Sequence, residues 1–269
     1  MRLESVTGGS VARVSQVNGA EDARTARQRD IVRMLQQTRQ VDVGELAQRF
    51  GVSGMTIRRD LAELEEAGQL HRVHGGATIR RAPAYGSRAT TRTDEKAAIA
   101  RCVAQLVPAG AAVGIDSGTT CHAVAAELAH RSDLTVVTNA LHAAITVREG
   151  GNRVIVLGGL LTSELSLVSA GTAQEPPQVH LDLLILGCGG LSVDRGITYF
   201  DPTEVQVRST LVGLADRVIV AADHSKFDHK KAMVLGPLDI IDVLVTDDTP
   251  PPHLSAALAA AGADIVIAS

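Results

Sequence analysis

Two groups of residues in this 269-residue chain have types and spacings that could do chemistry. The first is Ser53, Met55, Thr56, Arg58 and Arg59, followed by His74 and Gly75. An arginine can bond guanine O6 and N7 together, or grip a phosphate with the same fork. Serine and threonine hydroxyls at a helix N-terminus reach phosphate oxygens. The plainer readings are a solvated helix face for the two arginines and a simple hairpin turn for His74-Gly75. The second group is Asp116, Ser117, Gly118, Thr119 and Thr120, joined by Asn139, Gly158, Gly159, Gly187, Glu204 and Lys226. A glycine and small hydroxyl residues that open a helix form an anion pocket from backbone N–H groups, hydroxyls and the helix dipole. Lys226 would supply the positive charge such a pocket needs. Here the plainer readings are helix caps for the loop and for Asp116, a closed turn for Asn139 and a surface lysine for Lys226.

The elements around the first group are those of a winged helix-turn-helix. A short helix spans about Gly44 to Phe50, with Leu46, Ala47 and Phe50 facing inward, and Gly51-Val52 makes a turn that glycine permits. Ser53 then caps a helix from Met55 to about Ala67. On it Ile57, Leu61 and Leu64 form one buried stripe, and Met55 and Arg59 point the other way at about 100° per residue. Gly68 ends this helix. Leu70 to Val73 and Ala77 to Ile79 pair across His74-Gly75-Gly76 as the wing. An opening helix covers residues 24–38, with Ile31, Val32 and Leu35 as its apolar face.

The second group belongs to a different architecture. Short apolar runs at Ala111–Ile115, Leu134–Val137, Val154–Leu157, Leu181–Leu186, Arg217–Ala221, Val243–Val245 and Ile265–Ile267 are continuous and mostly β-branched, as buried parallel strands are. Helical stretches at Asp94–Leu106, Thr119–His130, Leu141–Glu149, Glu204–Ala215 and Leu254–Ala261 lie among them. The expected fold class is α/β: a small N-terminal winged helix-turn-helix domain, then a doubly wound, mostly parallel α/β sensor domain. In such a sheet ligands sit beyond the C-terminal strand ends, where the second group falls. The expected divisions are a disordered tail over residues 1–23, the DNA-binding domain over 24–79, a linker over 80–93 and the sensor domain over 94–269.

Composition narrows the function. The 45% apolar and 21% charged residues suit a folded globular chain, while the absence of tryptophan and 2% aromatic content imply an aliphatic core. No apolar run approaches the ~20 residues that span a bilayer, and residues 1–20 lack the apolar core of a signal peptide. The formal charge of −4 hides an asymmetry. Residues 20–92 carry thirteen Lys and Arg against nine Asp and Glu, and residues 93–269 carry eleven against twenty. The basic portion coincides with the helix-turn-helix. Cys102, Cys121 and Cys188 read as reduced thiols, and the nine histidines show no H-E-x-x-H spacing. The expectation is a cytoplasmic protein with no metal, no cofactor and no membrane partner.

The run Val52-Ser53 through Thr56-Ile57-Arg58-Arg59-Asp60-Leu61, followed by His74-Gly75-Gly76-Ala77, resembles the DeoR family of bacterial transcriptional regulators. The resemblance extends over roughly residues 25–269 through D-S-G-T-T, T-N, G-G and Ala222-Asp223-His224-Ser225-Lys226-Phe227. It implies a sensor domain like a sugar-phosphate isomerase that has lost catalysis. It also implies that Thr119, Thr120 and Lys226 hold phosphate while Asp116 and Asn139 contact sugar hydroxyls. Arg208 stands where the family commonly has lysine, so the resemblance assigns it no role. The implied partners are a double-stranded DNA operator, a phosphorylated sugar effector and further copies of the chain, as dimer or tetramer. The reading is a regulator of sugar-metabolism genes, a repressor rather than an activator. The alternative is a sugar-phosphate isomerase-like enzyme fused to a DNA-binding domain, with Glu204 or Asp223 as the base that proton transfer requires.

Overall fold

A computed structural model describes residues 23–35, 38–66, 69–78, 85–169 and 178–269. The chain forms two compact units, Met1–Arg80 and Arg81–Ser269. The expected tail, residues 1–23, lies outside the described residues except at residue 23, which opens the first helix.

In the first unit helix α1 (23–35) precedes strand β1 (Gln40–Asp42), α2 (Val43–Phe50), α3 (Gly54–Glu66), β2 (His71–Val73) and β3 (Gly76–Thr78). Asp42 caps α2 by accepting the N–H groups of Gly44 and Glu45, and Gly51 ends it at a left-handed φ of 64°. Ser53 Oγ accepts the Thr56 N–H at 3.1 Å and so opens α3. Ile57, Leu61 and Leu64 pack with Ile31, Leu35, Leu46, Leu70 and Ala77 in one core. The three strands pair antiparallel in the order β1-β3-β2. Sequence reading missed β1. A Cβ on Gly76 would stand 2.0 Å from the Val41 carbonyl oxygen, so β1 and β3 approach this closely only with glycine there. Ala67, Gly68 and Ile79, expected at element ends, lie outside the described residues.

The second unit opens with α4 (Tyr85–Ala89) and α5 (Thr93–Leu106). There follow β4 (Ala112–Ile115), α6 (Thr119–Leu128), β5 (Thr135–Thr138), α7 (Leu141–Glu149) and β6 (Arg153–Val156). A hairpin, β7 (Leu160–Leu161) and β8 (Leu167–Val168), leads to β9 (Leu183–Leu186), β10 (Gly190–Ser192), β11 (Gly196–Tyr199) and α8 (Pro202–Val212). The chain ends with β12 (Val218–Ala221), β13 (Met233–Gly236), β14 (Val243–Thr246), α9 (Pro252–Ala260) and β15 (Asp264–Ile267). Seven strands form one parallel sheet in the order β15-β14-β12-β9-β4-β5-β6. All seven expected apolar runs supply a strand to it. Leu183 and Ile185 join a core with α5, α6 and α7, while the alternate residues Leu184 and Leu186 are also buried. Burial on both faces is why these strands read as continuous apolar runs.

Strand sequence runs outward from β4 toward β6 on one side and from β9 toward β15 on the other. The order therefore reverses between β4 and β9, and a crevice opens at such a reversal beyond the strands' C-terminal ends. The antiparallel sheet β10-β11-β13 and the β7–β8 hairpin are additions that sequence reading missed. So is α4, which lies inside the stretch expected to be a linker without periodicity. No helix among the described residues is long and apolar enough to cross a membrane.

Candidate DNA interface and effector site

On α3 the residues named from sequence occupy one outward face. Met55 is 71% exposed, Arg58 and Arg59 are exposed, and Thr56 is partly so. Ser53 is exposed at the helix entry, with its hydroxyl 2.9 Å from that of Thr56. His74 and Gly75 form the exposed tip between β2 and β3. Arg59 rests loosely on Glu63, with Nε 3.4 Å from Oε1, and nothing encloses the pair. The opposite face carries a residue that sequence reading passed over. Asp60 is buried and accepts two bonds from the Arg27 guanidinium, at 2.6 and 3.1 Å. The Asp60 hydrogen bond raises the affinity of Arg27 for its proton. Gln28 and Arg24 on α1 reach Glu63 at 2.7 and 3.3 Å. These polar contacts set the angle at which α1 supports α3.

In the second unit Asp116, Ser117, Glu204 and Gly187 meet around a residue that sequence reading left unassigned. Arg208 reaches from α8 to the reversal point between β4 and β9. Its Nε donates to Asp116 at 2.9 Å, one terminal nitrogen donates to Glu204 at 3.0 Å and the other to Ser117 Oγ at 2.9 Å. Its guanidinium carbon lies 3.9 Å from the centroid of the Tyr199 ring, whose hydroxyl donates to the Gly187 carbonyl at 2.5 Å. The Gly187 N–H donates to Asp116 at 3.3 Å. All of these side chains are buried. Burial pushes the Asp116 carboxyl up from its ordinary range, and Arg208 opposes that shift. Burial works against the charge on Arg208, but Asp116 and Glu204 more than offset it, so its proton is held more firmly than usual.

The remaining named residues divide. Thr119 and Thr120 are buried in the first turn of α6, behind Gly118 with its φ of 128°. Asn139 is buried at the end of β5. Its Nδ2 donates to the Leu167 carbonyl at 3.2 Å, and its Oδ1 has no partner among the described residues. Lys226 is part-exposed, 3.2 Å from Ser225 Oγ and 3.7 Å from Asp223. The Cys188 thiol, pushed up to about 12 by burial, feels the charges of Lys226, Asp223 and Asp116. Gly158 and Gly159 are both exposed after β6. Gly159 also serves the backbone: its φ is 146°, and a Cβ there would lie 1.9 Å from the Val168 carbonyl oxygen.

Sequence reading also missed the cations from the expected linker. Arg88 on α4 pairs with Glu164, and Arg92 lies 3.5 Å from Asp223 and 3.1 Å from His224 Nε2. Buried Lys96 donates to the carbonyls of Arg88 and Thr91, fixing the end of α4. Tyr85 stacks on His142 at 5.1 Å between centroids and bonds His122 at 3.0 Å. No local pattern announces the pairings of Tyr85, Arg88 and Arg92, because Glu164, Asp223, His224, His122 and His142 all lie far along the chain.

Residues 27–82 match the DeoR-like helix-turn-helix domain, and residues 91–248 match the DeoR C terminal sensor domain. The chain belongs to the DeoR family. It is 36% identical over 232 residues to the glycerol-3-phosphate regulon repressor of Escherichia coli strain K12, covering 84% of this chain and 92% of that one. It is 36% identical over 228 residues to the transcriptional repressor AccR of Agrobacterium fabrum, covering 82% and 88%. Among solved structures, the full-length sorbitol operon regulator SorC from Klebsiella pneumoniae gives a TM-score of 0.41 at 14% identity, over 86% of this chain and 98% of that one. This DeoR-family chain is thus a DNA-binding transcriptional regulator, with α3 and the wing in its helix-turn-helix domain and the reversal point in its sensor domain.

Proposed function

We propose that the protein is a cytoplasmic repressor of genes for sugar or polyol use, and that a phosphorylated sugar or polyol controls its hold on DNA. The observation that carries this reading is the buried polar centre at the strand reversal, with its unpartnered Asn139 Oδ1. An amide oxygen buried without a donor costs about 1–3 kcal/mol, and a ligand hydroxyl would relieve that cost. Thr119, Thr120 and the helix N-terminus would take the anionic end, with Lys226 as its cation. Met55, Thr56, Arg58 and Arg59 on α3 would meet base edges and phosphates, with Ser53, His74 and Gly75 on the backbone. Two relatives, a glycerol-3-phosphate regulon repressor and the repressor AccR, support the regulatory sense. A helix-turn-helix of this kind reads repeated half-sites, which favours a dimer or tetramer.

Catalysis by Asp116 or Glu204 is disfavoured, because both are fixed on Arg208. Asp223 is held at Oδ1 by Ser225 and Arg92, and its Oδ2 has no hydrogen-bond partner among the described residues, so Asp223 is the base that the enzymatic alternative would need. A general base needs a lone pair within reach of the substrate proton. The test is a mobility-shift titration of the full chain on DNA from its own promoter region, with glycerol 3-phosphate, ribose 5-phosphate and fructose 6-phosphate added in turn. One of these should release the DNA and raise the melting temperature of the protein. Turnover of the same compound, abolished by Glu204→Gln or Asp223→Asn, would replace the sensor reading with the enzymatic one.

A further inference from the structure

The segment from Tyr85 to Lys96 is tied to the sensor at both ends of the site. Tyr85 is seated on His122 of α6 and His142 of α7, Arg88 on Glu164, and Arg92 on Asp223 and His224. These partners follow β4, β5 and β6 on one side of the reversal point and β12 on the other. The segment therefore spans the rim, and it is the first described part of the chain after the boundary between the two units.

Glu164 sits in the β7–β8 hairpin, directly beside the polar centre. Its N–H donates to Thr162 Oγ1 at 3.2 Å, and Thr162 bonds Ser166 at 2.7 Å. Ser166 Oγ donates in turn to Glu204 at 3.1 Å. The same hairpin lies along Asn139: the Leu167 N–H donates to the Asn139 carbonyl, and the Leu167 carbonyl accepts from Asn139 Nδ2. The unpartnered Asn139 Oδ1 and the Arg88–Glu164 pair thus share one small hairpin. Arg88 also lies close enough to Glu204 and Arg208 for their charges to act on it.

We propose that Arg88 is an effector-contacting residue, that Glu164 occupies it as a stand-in anion, and that the phosphate of the effector displaces Glu164 from it. This rests on the reading of the site as a sensor of a phosphorylated ligand. A half-buried ion pair gains little net energy, because its attraction is spent against desolvation. Exchanging one anion for another is therefore cheap. A near-dianionic phosphate with three oxygens matches the guanidinium fork at least as well as one carboxylate. The exchange frees the hairpin carboxylate and moves the anchor of α4 from Glu164 to the ligand. Ligand occupancy then changes how the chain leaves the sensor toward the helix-turn-helix. By linkage, bound DNA changes the affinity for the ligand by the same factor.

The competition gives opposite signs for the two partners, which a purely structural ion pair would not. Calorimetry on the full chain would use glycerol 3-phosphate, ribose 5-phosphate and inorganic phosphate as probes, with glycerol as the uncharged control. Glu164→Gln should tighten the phosphorylated probe that the wild type binds by roughly tenfold, while Arg88→Gln should weaken it by at least that factor. In the Arg88→Gln background, Glu164→Gln should change nothing. If Arg88→Gln does not fold, as a melt would show, Arg88→Lys should still weaken binding by losing the fork. Glycerol should not respond to any of these changes. A phosphorylated probe that binds wild type and Glu164→Gln equally, or is weakened by both Glu164→Gln and Arg88→Gln, overturns the exchange and leaves the sensor reading standing. Binding of none of the probes to wild type overturns both.

Discussion

Arg59 and Asp60 are adjacent and point to opposite fates. Arg59 is exposed, and its ion pair among the described residues is the loose one to Glu63, so its loss should leave the fold intact. Arg59→Ala should cost on the order of 1–3 kcal/mol of operator binding at matched salt, with an unchanged far-ultraviolet circular dichroism melt. Asp60 is buried on Arg27, and Asp60→Ala removes both charged hydrogen bonds. That change should destabilise the first unit by roughly 1.5–3 kcal/mol, so DNA binding should fall together with the melt. Wild-type binding by Arg59→Ala would remove that residue from the interface. An unshifted melt for Asp60→Ala would show that the ion pair does not hold α1 to α3. The outward face of α3 was legible, because a 3.6-residue period places Arg59 opposite Ile57, Leu61 and Leu64. The inward partner was not, because Arg27 sits on another helix. Arg208 was hidden in the same way: one of its carboxylates is a turn away, at Glu204, and the other comes from the end of β4.

At the scale of elements, the β7–β8 hairpin determines where Asn139, Glu164 and Ser166 stand. Its base depends on Gly159, whose positive φ and contact with the Val168 carbonyl leave no room for a Cβ. Gly159→Ala should cost about 1–3 kcal/mol of stability in the second unit. It should also weaken binding of the phosphorylated effector, because the hairpin cannot keep its register. Calorimetric unfolding and a ligand titration would check both, and a fully stable Gly159→Ala protein that binds normally would show that the hairpin does not organise the site. The sheet strands were readable because burial on both faces demands uninterrupted apolar runs. The hairpin was not, because two-residue strands carry no period. Helix α4 was equally obscure: Tyr-Gly-Ser-Arg-Ala has no apolar stripe, and its helix is fixed from outside by Lys96 and by the histidines beneath Tyr85.

Across the whole molecule, His122 should make the sensor sensitive to acid. Burial, with a smaller effect from His142, lowers the pKa of His122, which also contacts Tyr85 and Thr146. A base whose pKa is depressed by folding takes up protons more readily when unfolded. Stability therefore falls as pH drops through about 6.5, the ordinary histidine value. Carboxylates held low by Arg131 at Asp133 and by Lys230 at Asp194 lose their contribution only in the more acidic carboxylate range. Melts between pH 8 and 5 should show a decline in the wild type that His122→Asn makes shallower, and parallel curves would assign the decline to other groups. The placement of the two tyrosines has an optical consequence. The chain has no tryptophan, and Tyr85 and Tyr199 both lie in the second unit, one on the rim segment and the other against Arg208. Native tyrosine emission therefore arises from the neighbourhood of the sensor site alone. A ligand titration can be followed in unlabelled protein without a signal from the helix-turn-helix, and one tryptophan introduced at Phe50 would give the DNA-binding unit a separate colour.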